Sequence, residues 1–288
     1  MFRIGIVGSD NSHAERFPEL TNLPDQPADK HVDGAQVVAL FGLDPVRTEQ
    51  VATKTRIPKI VSDPKEMLGM VDAVMVVFRH GGLHRQYAEP FIKAGIPTFI
   101  DKPLAASPAD AEAIVELAQR TGTPITSFST LRYATGVPEF VKGMAEIAPV
   151  RTAIVTSPAD RGSEYGGLVF YAIHASELLL EMIGPGIEEV QAAQYGQNVM
   201  AVMGHKSGIL CALNLIASGY GFDMMAYGDK GRRKIEVDAS TCYREGFKVF
   251  LEMLRTGKPP LPYDEMVESV RIIDAVERSL QAGKAVRL

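Results

Sequence analysis

A lysine stands between an apolar run and a proline at Pro97-Thr98-Phe99-Ile100-Asp101-Lys102-Pro103-Leu104. A strand over 97–101 would deliver Lys102 at its carboxyl end, where open α/β sheets build their ligand crevices. Pro103 fixes its own φ and narrows the conformations open to Lys102. An amine held there can grip a substrate oxygen as a cation, or lose its proton if its surroundings depress its pKa. The same tripeptide also reads as an ordinary strand-to-loop turn, so its setting must decide. His174 is the second candidate: an unperturbed imidazole titrates near working pH, which suits proton transfer. It sits in an apolar stretch, Leu168 to Ile183, that reads as a helix, and a core histidine is the alternative there. Arg79, Arg132, Arg161 and Tyr165 can bind hydroxyls or a carboxylate if they face a crevice.

The elements that must position these groups alternate along the first half. Residues 2–7 read as a buried strand, followed by Gly8-Ser9-Asp10-Asn11-Ser12-His13 and a helix starting near Ala14. Strand, tight turn and helix is the context of a dinucleotide-binding turn, whose helix start offers amides to a phosphate. Asn11 or Ser12 can cap that helix. The glycine pattern is altered: counting from Gly8, Asp10 stands at the second glycine and His13 at the third. An acid there suits a diphosphate only if it turns away or accepts a hydrogen bond. A loop with Pro18, Pro24 and Pro27 leads to a second strand over 35–41. Gly42 then occupies the place of the ribose-binding acid, with Asp44 close behind and Arg47 near enough for a 2′-phosphate. NAD and NADP therefore both remain open.

Helices are expected over 45–56, 84–94 and 108–121, the last with Ser107 as its cap and Pro108 at its first position. Strands are expected over 57–61, 72–78, 97–101 and 124–128, with Phe78-Arg79-His80 closing the second of these. This order predicts a doubly wound parallel sheet of the Rossmann type over residues 1–128. Residues 129–288 read as an α+β domain for substrate binding and oligomerisation. Helices are expected over 137–147, 168–183, 243–255 and 263–281. Strands over 150–156, 188–195, 199–204, 208–217, 223–227 and 234–237 have short connections, which argue for mostly antiparallel pairing.

The 288 residues are long enough for two domains or one large one, and at 46% hydrophobic they can bury a sizeable core. A net charge of −5 gives no basic field to attract nucleic acid or an anionic membrane. No apolar run is long enough to span a bilayer, and the first residues read directly as a strand rather than a secretory signal. Cys211 and Cys242 fit neither a disulfide framework nor a paired metal knuckle, so a reducing cytoplasm is expected.

Taken in order, these motifs resemble the Gfo/Idh/MocA family of oxidoreductases over essentially the whole chain. The likeness rests on Asp72-Ala73-Val74-Met75-Val76-Val77, then His84, then Asp101-Lys102-Pro103-Leu104, where Asp101 replaces a glutamate. A second motif, an aspartate and a histidine ahead of a trailing acid, aligns with Phe170, His174 and Glu177, so the aspartate is missing here. The resemblance implies a hydride-transferring enzyme using NAD or NADP on a sugar, polyol or related small hydroxy compound. Lys102 and His174 would handle the reacting oxygen and its proton. Gly8, Ser9, Asp10, Asn11, Ser12, His13, Asp44, Phe78, His80, His84, Asp101 and Lys102 would line the cofactor. It also implies a cis bond before Pro103 and a homodimer or homotetramer joined through the later sheet.

Two other classes stay in view. Asp10, His13, His80, His84 and His174 could converge as ligands for a metal-dependent hydrolase or lyase. The altered glycine turn and Phe170 could instead mark a member that binds a ligand or partner without chemistry.

Overall fold

The computed structural model describes residues 1–23, 30–219 and 221–288; Pro24 and Pro27 of the expected proline loop lie outside them. Pro18 lies inside the first helix. The helices run His13–Asn22 (α1), Pro45–Thr55 (α2), His84–Lys93 (α3), Pro108–Thr121 (α4), Val137–Gly143 (α5), Val169–Ile183 (α6), Cys242–Thr256 (α7) and Tyr263–Ala282 (α8). The chain forms two compact units. One comprises Met1–Ala105, Ala109–Phe128 and Tyr243–Tyr263; the other comprises Ala106–Pro108, Ser129–Cys242 and Asp264–Leu288. The expected break at 128/129 is present. The expected second segment, 129–288, is however interrupted, because residues 243–263 return to the first unit.

The first unit holds strands Phe2–Val7 (β1), Ala35–Phe41 (β2), Lys59–Ile60 (β3), Ala73–Val76 (β4), Thr98–Ile100 (β5) and Ile125–Thr126 (β6). They pair in the order β3-β2-β1-β4-β5-β6, all parallel. This is the doubly wound order, with its switch point between β1 and β4. Ile4, Ile6, Val7 and the whole of β4 are buried, as a central strand covered on both faces requires. Apolar burial of α7 explains its return. Phe247 lies 5.9 Å from Phe17 of α1, and Phe250 lies 5.7 Å from Phe99 of β5. Burying two aromatic side chains contributes several kcal/mol, on the order of 2–3 each.

The second unit holds Val150–Pro158 (β7), Ile187–Tyr195 (β8), Asn198–His205 (β9), Leu210–Ile216 (β10), Asp223–Gly228 (β11), Gly231–Glu236 (β12) and Val286–Arg287 (β13). Their order is β12-β11-β7-β10-β9-β8-β13. Pairing is antiparallel except between β7 and β10, so the sheet is mixed. One face packs against α6, which lies over β7 and β10. The Ser176 hydroxyl of α6 donates to Ser269 O of α8 at 3.0 Å, locking the two helices. Strand β9 shows the resulting two-residue period: Val199, Ala201 and Met203 are buried, while Met200 and Val202 are exposed. Both cysteines are buried, and burial pushes the Cys211 thiol up to about 12, so it is no nucleophile at neutral pH.

Candidate active site

The carboxyl ends of β1 and β4 meet at the switch point of the first unit. Gly8 follows β1 with φ of 111°, and a Cβ on it would stand 2.7 Å from Phe78 N. Only glycine allows the two strand ends to approach so closely. Asp10 spans the same junction, its carboxylate accepting from Arg79 N at 3.2 Å. The acid that replaces the second glycine is thus turned onto a main-chain amide. At the start of α1, Asn11 Oδ1 accepts from His13 N, Asn11 O accepts from Ala14 N, and Ser12 O accepts from Glu15 N and Arg16 N.

The Asp101-Lys102-Pro103 turn is fixed from two sides. Asp101 N donates to Val76 O, tying the end of β5 to β4. The buried Asp101 carboxylate takes His13 Nδ1 at 2.5 Å, Asn11 Nδ2 at 3.0 Å and Lys102 N at 2.7 Å. Burial alone would raise this carboxyl, but His13, with Lys102 and His84 behind it, holds it below the usual carboxylate range. The peptide bond between Lys102 and Pro103 is cis. His84 is fully buried, with Nδ1 2.8 Å from Pro103 O and Nε2 2.8 Å from Phe78 O. Burial lowers its pKa, and a neutral ring donates to one of these oxygens at a time. His84 was expected to touch the cofactor. With no exposed surface, it instead clamps the lysine turn to the end of β4. Phe78 is likewise buried, against Tyr87 at 4.6 Å. His80 caps the short turn that follows, its Nδ1 accepting from Gly82 N.

The end of β2 explains the missing ribose acid. A Cβ on Gly42 would lie 2.0 Å from Ser9 Oγ and 2.2 Å from Thr48 Oγ1, and these two hydroxyls hydrogen-bond at 2.9 Å. The space an acid would need is filled. Asp44 caps α2, accepting from Val46 N and Arg47 N. Arg47 donates to Ser9 O at 3.1 Å and pairs with Glu15 at 2.6 Å.

In the second unit, His174 of α6 is almost fully buried and its Nδ1 lies 2.7 Å from Ser129 Oγ. Tyr171 and Phe222 meet its ring edge-on at 5.1 and 5.5 Å. One turn further, Glu177 accepts from Ser129 N at 2.5 Å and Arg132 Nε at 3.0 Å. Arg132 is 1% exposed and also binds Glu181 and Glu265, each at 2.8 Å. Its expected place on a substrate crevice is therefore corrected: it is the centre of a buried ion cluster. Burial pushes the Glu177 and Glu265 carboxyls up against the pull of this guanidinium. Arg161 is committed too, forked onto Glu277 at 2.8–3.1 Å and donating to Gln194. Tyr165 does line a cavity of about 540 Å³, together with Asp160, Ser163, Glu164, Phe170 and Tyr171.

Sequence reasoning missed Ser129, Glu181 and Glu265. Glu177 and Glu181 carry a readable signal, since with His174 they recur at helical spacing on α6; Ser129 carries none. Among the described residues no group of three or more His, Cys, Asp or Glu is arranged to hold a metal ion. No helix among them is long and apolar enough to cross a membrane.

Comparison with known proteins agrees with this fold. Residues 2–129 match the model of the GFO_IDH_MocA oxidoreductase family, described as an NAD-binding Rossmann fold. An inositol 2-dehydrogenase of Acidothermus cellulolyticus is 34% identical over 125 residues, 42% of this chain and 33% of that protein. A second, from Saccharopolyspora erythraea, is 25% identical over 206 residues, 70% of this chain and 56% of its own length. The chain thus spans about a third and about half of these two relatives. In fold it is similar to the Lactobacillus casei myo-inositol dehydrogenase solved with NAD(H) and myo-inositol. The TM-score is 0.86 at 16% identity, over 100% of this chain and 97% of that one. Residues 2–129, with their switch-point glycine turn and Asp101-Lys102-Pro103, are thus similar to the NAD-binding Rossmann domain of the Gfo/Idh/MocA oxidoreductase family.

Proposed function

We propose that this protein is an NAD-dependent dehydrogenase acting on a small cyclic polyol of the inositol type. The observation that carries the reading is the joined switch point of the first unit, with Lys102 delivered at the adjacent strand end. The residues there fit a dinucleotide. The Gly8 turn at the switch point suits a pyrophosphate, with Asp10 turned onto Arg79 N and Ser12 exposed. NAD is favoured over NADP because Arg47 is already paired with Glu15 and Asp44 adds an acid at the ribose end. When bound, NAD supplies the hydride acceptor. Lys102 holds and polarises the reacting oxygen as a cation. His174 takes the hydroxyl proton, a role within reach of an imidazole at neutral pH.

The cavity of the second unit supports a ring-shaped substrate. Tyr165 and Phe170 pack with centroids 5.0 Å apart and offer faces for the apolar side of a ring. Asp160, Ser163 and Glu164 supply acceptors for hydroxyls and disfavour an anionic substrate. Phe170, where the related motif has an aspartate, shifts this wall from ionic to aromatic. Calorimetric titration with NAD, NADH, NADP and NADPH tests the proposal, followed by nicotinamide absorbance with myo-inositol and with glucuronate. Heat at micromolar NAD or NADH and reduction by the neutral polyol are expected. Silence with all four nucleotides would make the chain a binding protein without this chemistry.

The outer face of the second sheet is apolar, with Met200, Val202, Leu210 and Tyr227 exposed beside Ile154 and Met225. Such a patch calls for a cover, and a second copy of the chain supplies one symmetrically. Sedimentation of the intact protein should give a multiple of 31.3 kDa, and Leu210→Lys should reduce it to the monomer. A monomeric parent protein would end this part of the proposal.

A further inference from the structure

We propose that Ser129 is the positioning residue for His174, holding its δ nitrogen so that Nε2 is the atom that exchanges protons. The inference rests on the reading of His174 as the proton-handling group. Two residues one turn apart on α6 grip Ser129 from opposite ends. His174 Nδ1 lies 2.7 Å from its hydroxyl oxygen, and Glu177 accepts from its main-chain amide at 2.5 Å. Glu177 is itself fixed by Arg132 at 3.0 Å, so the serine is anchored to the buried ion cluster. Leu131 N donates to the same hydroxyl oxygen at 3.3 Å. Ser129 is fully buried. The Tyr171 and Phe222 rings stop the imidazole from turning away.

The chemistry of the partner matters. A serine oxygen has two lone pairs and can accept from Leu131 N–H and from Nδ1–H together. With the proton kept on Nδ1 in both the neutral and the charged ring, Nε2 alone gains and loses one. A hydroxyl does this without adding charge, whereas a carboxylate at the same place would favour the charged ring. Removing the hydroxyl releases Nδ1, and the ring is then free to place its proton on Nε2, where it cannot act as a base.

The test is Ser129→Ala, read by nitrogen NMR of His174 and by kinetics. The parent should show the Nδ1–H form, and the variant a shift toward Nε2–H. Turnover should fall by roughly a hundredfold with KM and NAD titration unchanged, the scale of a misplaced catalytic group. Ser129→Thr, which keeps the hydroxyl, should restore both. If the alanine variant does not fold, Ser129→Cys takes its place, keeping the volume with a weak acceptor. An identical His174 spectrum in parent and variant overturns the proposal. Because the spectrum needs no turnover, a parent that never reduces NAD would end the dehydrogenase reading and leave this link decided separately.

Discussion

Replacing Arg132 with methionine is expected to cost the second unit about 3–5 kcal/mol, the scale of breaking a buried ion pair by removing one partner. Three carboxylates, Glu177, Glu181 and Glu265, would lose the one guanidinium they share. Arg151 serves as the contrast. It meets Asp229 at the same 2.8 Å, but the two side chains are 64% and 48% exposed, so Arg151→Met should leave stability nearly unchanged. Distance alone would rank the pairs equally; desolvation separates them. The loss also has a direction in pH. Burial already holds the Glu177 and Glu265 pKa values above their ordinary range. An acid whose folded pKa is raised binds its proton more tightly when folded. Its favourable contribution is complete below the unfolded value, about 4.3, and is lost as pH rises through the folded one. Without Arg132 the rise is larger, so the deficit should be greatest at neutral pH and shrink on acidification. Hydrogen exchange of α6 and α8 amides, measured at neutral and mildly acidic pH, reads this in the unit concerned. Equal protection of parent and variant in these helices would show that the cluster carries no net stability.

Much of the first unit was legible because its signals are local. Buried parallel strands are continuous apolar runs, and β1, β2, β4 and β5 stand where such runs occur. The turn after β1 was legible down to its anomaly: an acid at the second glycine position had either to turn away or to accept a hydrogen bond, and Asp10 accepts one from Arg79 N. What failed were residues whose meaning depends on distant partners. Leu131-Arg132-Tyr133 offers a cation but no hint of burial, and two of its carboxylates lie 45 and 49 residues away. His84 looks like a ligand-facing histidine until both nitrogens are traced to main-chain oxygens. Gly42 stands where an acid was expected, yet the hydroxyls of Ser9 and Thr48 leave it no alternative. The helix of residues 242–256 was legible as a helix. Its apolar face says that it must be covered, not which sheet covers it, and so the return to the first unit was missed.

Lys102→Ala should remove turnover by about 10²–10⁴-fold, the contribution of a positioned group that assists proton transfer, while leaving cofactor titration unchanged. The separation follows from how the turn is built. The lysine main chain is held by the Asp101 carboxylate at its amide and by the His84 clamp on Pro103 O. Asp101 is in turn held by His13 and Asn11. None of these bonds uses the lysine side chain, so truncating it leaves the frame in place. The Lys102 charge does help keep Asp101 ionised, and His13 is the larger influence, so the carboxylate survives the loss. Lys102→Met isolates the charge, since it keeps an unbranched side chain of similar length without the ammonium. Both variants should bind NAD as the parent does and fail alike in turnover. Asp101→Asn should differ, because it weakens the hold on His13 and the turn itself, and is expected to reduce both cofactor affinity and rate. If Lys102→Met reduced NAD at the parent's rate, the ammonium would have no part in the reaction, and the strand-end turn would be a scaffold for cofactor binding alone.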